Sequence, residues 1–181
     1  MRMAGTSLAV CLAACLLGIS GCAPSSRWDP QSAEPIKQLS VNLLRNLDAG
    51  DFMAMIADAD SNFVMMDVDE NNIPFRADGI GDARALMTRM SDVAKSQDIK
   101  FASTILRNDA WATPTMGYSI VEYDQTISAG GQTMGPFKFR GTLVARRDGS
   151  NWIMTHWHGS FREMPPPMPM PEGAPEGAAK Q

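Results

Sequence analysis

Cysteine is scarce in this 181-residue chain, and its placement limits the chemistry that the protein can carry. The three cysteines are Cys11, Cys15 and Cys22, so the sequence after residue 22 contains no thiol. Disulfide bridges, thiolate zinc sites, iron–sulfur clusters and cysteine nucleophiles are therefore excluded from that part. Histidine is scarcer still, with His156 and His158 as the only two.

The sequence also lacks an excess of positive charge. Sixteen Lys and Arg residues stand against 20 Asp and Glu residues, which gives a formal net charge of -4. A protein that binds phosphate backbones needs clustered basic residues, and the sequence has no such cluster. We therefore expect no nucleic-acid partner. Phosphate loops, nucleophile elbows and cofactor fingerprints are missing as well, so we expect no cofactor.

The N-terminal hydrophobic run is too short to span a membrane. It covers 12 residues, 8–19 (LAVCLAACLLGI), whereas a bilayer core requires about 20. Its length and the preceding Arg2 are typical of a signal peptide. The segment that follows, Ile19-Ser20-Gly21-Cys22, resembles a bacterial lipobox, in which the cysteine receives the lipid. The alternative is an ordinary secretory signal with an incidental cysteine.

The lipobox resemblance implies a location in the cell envelope. Residues 1–21 would be removed as a lipoprotein signal peptide, and acyl chains, palmitate among them, would be attached to Cys22. Each buried methylene group contributes about 0.8 kcal/mol, so several chains would anchor the protein to the membrane. Ala23, rather than Asp, after the cysteine implies the periplasmic face of the outer membrane in a Gram-negative cell.

The remaining sequence divides into a linker, one domain and a tail. Residues 22–30 are polar and flanked by prolines, as expected for a lipidated N-terminus with a linker. Residues 31–163 contain the domain, without a long-period repeat. Residues 164–181 carry six prolines and no aromatic or β-branched residue, so we expect a disordered tail.

Hydrophobic spacing predicts helices in the first half of the domain. Apolar residues recur every three or four positions from Ile36 to Leu47, and Gly50 follows as a helix stop. A short second helix is expected at 51–59. A third is expected from Ile80 to Ala94.

Strand patterns occupy the rest of the domain. Residues 62–69 predict a strand that turns at 69–72 into a second, shorter strand. From Ile99 onward the pattern indicates strands that are separated by turns at 108–109, 129–131 and 148–150. Helices followed by an antiparallel meander indicate an α+β fold.

Four segments, taken in this order, resemble the SnoaL-like branch of the nuclear-transport-factor-2-like (NTF2-like) superfamily: Ala49–Phe52 (AGDF), Asp109–Ala112 (DAWA), Arg140–Leu143 (RGTL) and Asn151–Ser160 (NWIMTHWHGS). The resemblance covers residues 31–163. It implies a cone-shaped, strongly curved antiparallel sheet, closed by three packed helices around a pocket. It does not imply one function, because this fold hosts isomerases, cyclases, dehydratases and assembly domains.

Strict alternation along the last strand predicts two faces. One face would carry Trp152, Met154, His156, His158 and Ser160, and the other would carry Ile153, Thr155, Trp157 and Phe161. Both faces are apolar, so we expect one to line the cone and the other to contact a second subunit in a homodimer. A monomer with a polar outer sheet face would count against that expectation.

Asp67 and the two histidines are the candidate catalytic residues. Ketosteroid isomerases of the same superfamily carry their proton-transferring aspartate at a matching place, so the resemblance implies that role for Asp67. The oxyanion donors of those enzymes are replaced here by Leu43 and Thr142, which makes steroid isomerisation improbable. The alternative for Asp67 is a solvated carboxylate at a strand end.

The two histidines have three interpretations. They can act as general acid and base near neutral pH, or form a hydrogen-bonded structural pair. As a third possibility, they can bind a metal with Glu122 or Asp67. Two ligands without a fixed third do not predict a metal site.

Five further residues are candidates for lining the pocket. Tyr118 and Glu122 share a face of one strand, Arg140 can pair with Glu122 from the next, and Trp152 and Met154 precede the histidines. Fourteen methionines would suit a small apolar ligand, although methionine is also common in cores.

Three hypotheses about function follow. The first is a membrane-anchored module that binds a small molecule or assembles with partners. The second is an isomerase, dehydratase or cyclase that uses acid–base chemistry at Asp67 and His156/His158. The third is a structural envelope protein that is recruited through its tail.

Overall fold

The computed structural model describes residues 33–68 and 73–163. The predicted signal peptide, Cys22, the linker, the turn at 69–72 and the tail lie outside these residues. The described residues form three helices and six strands: α1 (Glu34–Asp48), α2 (Phe52–Met55), β1 (Ala59–Val68), β2 (Pro74–Asp78), α3 (Ile80–Ser96), β3 (Lys100–Ala112), β4 (Met116–Ala129), β5 (Gln132–Asp148) and β6 (Asn151–Phe161). The predicted α+β class is confirmed.

The six strands form one curved sheet in the order β2-β1-β6-β5-β4-β3. Neighbouring strands are antiparallel except for β1 and β6, which run parallel. The predicted antiparallel arrangement therefore holds for every neighbouring pair except this one. The hairpin from β5 fixes the direction of β6, and that direction coincides with the direction of β1 beside it.

Helix α1 forms as predicted and packs its apolar stripe against the sheet. Ile36, Leu43 and Leu44 are buried at helical spacing, and Gly50 follows the helix with a φ of 70°. That left-handed conformation costs glycine little, so the chain can turn there into α2. Asp51 caps α2 by accepting a hydrogen bond from the Ala54 amide at 3.0 Å.

The predicted turn at 108–109 is wrong, because both residues lie inside β3. The side chain of Asn108 donates to the carbonyl of Lys37 at 3.2 Å and to Ser40 Oγ at 3.1 Å, both in α1. Asn108 is of a type that favours turns, but here its side chain hydrogen-bonds to polar groups of the helix that packs on the strand. The turn instead follows Ala112, where Thr113 bonds to Met116.

A β-bulge at Thr155 reverses the faces of the last strand. Val144 pairs with His156 and Ala145 pairs with Met154, so Thr155 is an extra residue. Trp152 and Met154 are buried before the bulge, and Trp157 and Gly159 are buried after it. The prediction that both histidines share a face with Trp152 and Met154 is therefore wrong.

The outer face of the sheet carries half-buried side chains, among them Ile120, Val144 and His156. The expected homodimer through this face stays a prediction. Within the described residues, no helix is long and apolar enough to cross a membrane.

Candidate functional site

A cavity of about 620 Å³ lies between the helices and the concave face of the sheet. Aromatic and methionine side chains dominate its lining: Phe52, Phe75, Phe101, Tyr123, Phe139, Met55, Met65 and Met90. Aliphatic residues supply most of the rest. Cavities of about 300–1,000 Å³ with this character are typical of small-molecule sites.

Asp67 is the carboxylate of this cavity. From Phe63 onward strand β1 alternates regularly, so Asp67 faces inward together with buried Phe63 and Met65. Its Oδ2 accepts a hydrogen bond from Nε1 of Trp157 at 2.8 Å, and its Oδ1 accepts one from the Val68 amide at 2.9 Å. Asp67 as a whole residue is half-buried, and its carboxyl group lies at the enclosed wall of the cavity.

Two glycines make the space in which this pair lies. Gly141 and Gly159 are partners in the β5–β6 pairing, and we call them the glycine pair. A Cβ on Gly141 would lie within 2.9 Å of three atoms of the Trp157 indole. A Cβ on Gly159 would lie within 2.5 Å of the Asp67 carboxyl carbon and both oxygens. The site therefore requires glycine at both positions.

The surroundings of Asp67 raise the pKa of its carboxyl group. Burial raises the pKa of this carboxyl above its ordinary value of 3.8, and it outweighs the bonds from Trp157 and Val68 and the charge of His158, which lower it. Burial, with smaller contributions from Asp67 and Asp48, also raises the pKa of Tyr123 well above 10.0. Tyr123 therefore stays a neutral phenol and Asp67 holds its proton at a higher pH than a solvated aspartate would.

A second polar group reaches the cavity from β4. Gln125 lines it and donates through Nε2 to Ser103 Oγ at 3.2 Å. Ser103 in turn donates from its hydroxyl and its amide to Asp48 at the end of α1, at 2.8 and 3.0 Å. This chain of bonds fixes the amide of Gln125 at the cavity wall.

The two histidines lie away from the cavity lining. The bulge at Thr155 directs His156 and His158 to the face opposite Trp157. His158 is exposed, while desolvation is the main cause that lowers the pKa of half-buried His156. Among the described contacts, neither histidine bonds to Asp67, and no group of three potential metal ligands occurs among those residues.

The five predicted pocket residues also lie outside the lining. Glu122 and Arg140 form the predicted cross-strand pair, with Arg140 Nη2 2.6 Å from Glu122 Oε1. Tyr118 stacks on Trp111 with ring centroids 5.0 Å apart. These three alternate with the inward-facing residues of β4 and β5, so they occupy the outer face. Buried Trp152 and Met154 are core residues beside the site. A role of these five residues in binding a ligand stays a prediction.

Sequence reasoning missed Trp157 as the partner of Asp67, and it also missed the glycine pair. The signal for the glycines was present, because glycine in the middle of a strand marks a close approach. Both glycines lie in segments that carry the family resemblance, namely RGTL at 140–143 and HWHGS at 156–160.

Comparison with solved structures identifies the fold at low sequence identity. An NTF2-like protein of unknown function from Pseudomonas putida KT2440 is 16% identical, with a TM-score of 0.56 over 74% of this chain and 89% of that one. A ketosteroid isomerase-like protein from Erwinia carotovora atroseptica SCRI1043 is 13% identical, with a TM-score of 0.58 over 75% and 99%. A Streptomyces avermitilis protein of the NTF2-like family, provisionally named a dehydratase, is 14% identical, with a TM-score of 0.55 over 72% and 96%.

No family model matches the sequence, and no curated protein is significantly similar to it. The SnoaL-like branch therefore stays a prediction. The agreement with several NTF2-like structures concerns the path of the chain, including the curved sheet and the helices that close it. By its architecture, this chain has the NTF2-like fold.

Proposed function

We propose that this protein binds a small apolar molecule in the cavity under α3. The observation that carries the proposal is the cavity itself, which is about 620 Å³ in volume, is lined mainly by aromatic and aliphatic side chains and contains few polar groups. A pocket of this kind binds an apolar body by excluding water and orients it through its few polar groups. Asp67 and Gln125 are suited to that orienting role.

The local chemistry of Asp67 restricts what it can bind. When ionised, its carboxylate accepts hydrogen bonds only, and Trp157 and Val68 already supply two. A hydroxyl or amine on the ligand can supply a third hydrogen bond, whereas a ligand carboxylate at this depth would be repelled by the ionised Asp67. We infer a ligand whose inner end carries a hydrogen-bond donor or no polar group at all.

Closing the mouth of the cavity should abolish binding. Val93 lines the cavity but is 47% exposed, so Val93→Trp can fill the mouth without disturbing the core. We expect it to weaken binding of the neutral fluorophore N-phenyl-1-naphthylamine at least tenfold, measured by fluorescence titration. Thr88→Trp, at an exposed position of the same helix outside the lining, is the control. Equal binding by both variants would place the fluorophore elsewhere and contradict the proposal.

Catalysis at Asp67 is the second candidate. The specific observation in its favour is that burial raises the pKa of this carboxyl inside an apolar cavity, which is how proteins adapt a carboxyl for proton transfer. The comparison structures named as ketosteroid isomerase-like and as a dehydratase are compatible with such chemistry. Native mass spectrometry would identify the bound molecule. Its conversion by the wild type but not by Asp67→Asn would support catalysis, and the absence of conversion would leave binding alone.

We further propose that the domain is held at the membrane through lipid on Cys22. The lipobox-like segment Ile19–Cys22 supports this. Cys22→Ala should move the protein from the membrane fraction to the soluble fraction of the producing cell. An unchanged distribution would contradict the anchor without affecting the cavity proposal.

A further inference from the structure

One stripe of helix α3 lines the cavity. Its residues are Leu86, Arg89, Met90, Val93 and Ala94, which share one face of the helix, and Gln97 extends the stripe at the C-cap. The other charged residues of α3 lie outside this stripe. Arg89 is therefore the one place where the helix brings a charge to the cavity.

Arg89 has no carboxylate partner among the described residues. Five other arginines of the domain each form an ion pair with a carboxylate, namely Arg76, Arg107, Arg140, Arg146 and Arg162. Three more described arginines form none, namely Arg45, Arg84 and Arg147, but these three do not line the cavity. The side chain of Arg89 is exposed, so it lies where the cavity opens to solvent. Five donor hydrogens in a planar fork are thus available to an anion at the mouth.

Among the described lining residues, Arg89 and Asp67 are the only charged side chains. They differ in depth, because Arg89 is exposed on α3 while the Asp67 carboxylate is enclosed by the sheet and bonded to Trp157. A cation at the mouth and a carboxylate inside impose opposite preferences on the two ends of a ligand.

We propose that the natural ligand is an organic acid with an apolar body, and that Arg89 binds its acidic group at the mouth. This inference rests on the proposed binding function. The apolar body enters the cavity first, because the acidic end would lose its hydration inside and would meet no cation among the described residues there. The acid stays at the mouth, where it keeps part of its hydration and pairs with the guanidinium.

Two fluorophores that differ by one charge test this assignment. N-phenyl-1-naphthylamine is neutral, and 1-anilinonaphthalene-8-sulfonate has the same rings with one sulfonate. We expect Arg89→Gln to weaken binding of the sulfonate about three- to tenfold and to leave the neutral probe unchanged. Added salt should weaken binding of the sulfonate probe to the wild type, and it should have little effect on binding to the variant. Arg84→Gln, an exposed arginine of α3 outside the lining, is the control and should change neither probe.

The outcomes separate this inference from the function on which it rests. If Val93→Trp blocks both probes but Arg89→Gln alters neither, the cavity binds ligands without selecting acids, and the inference is overturned. The inference is overturned as well if Arg84→Gln weakens binding of the sulfonate probe as much as Arg89→Gln does. If Val93→Trp blocks neither probe, the cavity proposal fails and takes this inference with it.

Discussion

Replacing Gly141 by alanine is expected to destabilise the folded protein by about 3 kcal/mol. The added methyl group would meet the indole of Trp157, which is 1% exposed and can make room only by displacing its neighbours. The ring would shift away from Asp67 and weaken the 2.8 Å bond that it donates. The free energy of unfolding, from urea denaturation of the whole chain, measures the effect.

The matched control for this substitution is Gly81→Ala. Gly81 lies in α3, and a Cβ there would meet no atom within 4 Å. We expect it to stabilise the protein by about 0.5–1 kcal/mol, because alanine favours a helix more than glycine does. If both alanine variants unfold at the same urea concentration as the wild type, the glycine pair does not determine the position of Trp157.

Replacing Trp157 by phenylalanine is expected to cost about 2–4 kcal/mol at neutral pH. Part of the loss comes from the smaller ring in a buried position. The rest arises because Oδ2 of Asp67 loses its donor while the carboxylate remains enclosed. Below the native pKa of Asp67 the carboxyl is neutral, so the penalty should shrink in acid. Thermal unfolding of the wild type and the variant at pH 7 and at pH 3 measures the cost at neutral pH and its decrease in acid.

Asp67→Asn and Trp157→Phe together form a double-mutant cycle. Because the native pKa of Asp67 is raised, the native state holds a proton that the unfolded chain releases near pH 3.8. Stability therefore falls as the pH rises from that value through the native pKa, and the asparagine variant should escape this fall. In that background, Trp157→Phe should cost less than in the wild type. An equal cost at every pH and in both backgrounds would show that the bond to Asp67 contributes nothing.

The part of the site on β1 could be predicted from sequence because the strand there is regular. Phe63, Met65 and Asp67 alternate without interruption, so the carboxylate faces the interior with its apolar neighbours. The helical stripe from Ile36 to Leu47 could also be predicted from the sequence, since its hydrophobic spacing is unbroken. In both segments the local pattern and the tertiary environment favour the same structure.

The part on β6 could not be predicted, because its geometry depends on two neighbouring strands. Nothing in residues 151–161 marks Thr155 as the extra residue, and the irregularity arises only where β6 pairs with β5 and β1. One unmatched residue exchanges the two faces after it, which removed the histidines from the interior and put Trp157 there. Asn108 was misjudged for a related reason, since its partners lie about 70 positions away in α1.

The parallel pairing of β1 with β6 also determines when the site can form. The bond between Asp67 and Trp157 joins residues 90 positions apart, across the first and last long strands of the domain. During synthesis, the acidic residue therefore emerges well before the strand that holds it. Closing such a distant contact is slow compared with forming local helices. We therefore expect the cavity to reach its final form late in folding, and a chain that ends before β6 lacks the indole donor that binds Oδ2 of Asp67.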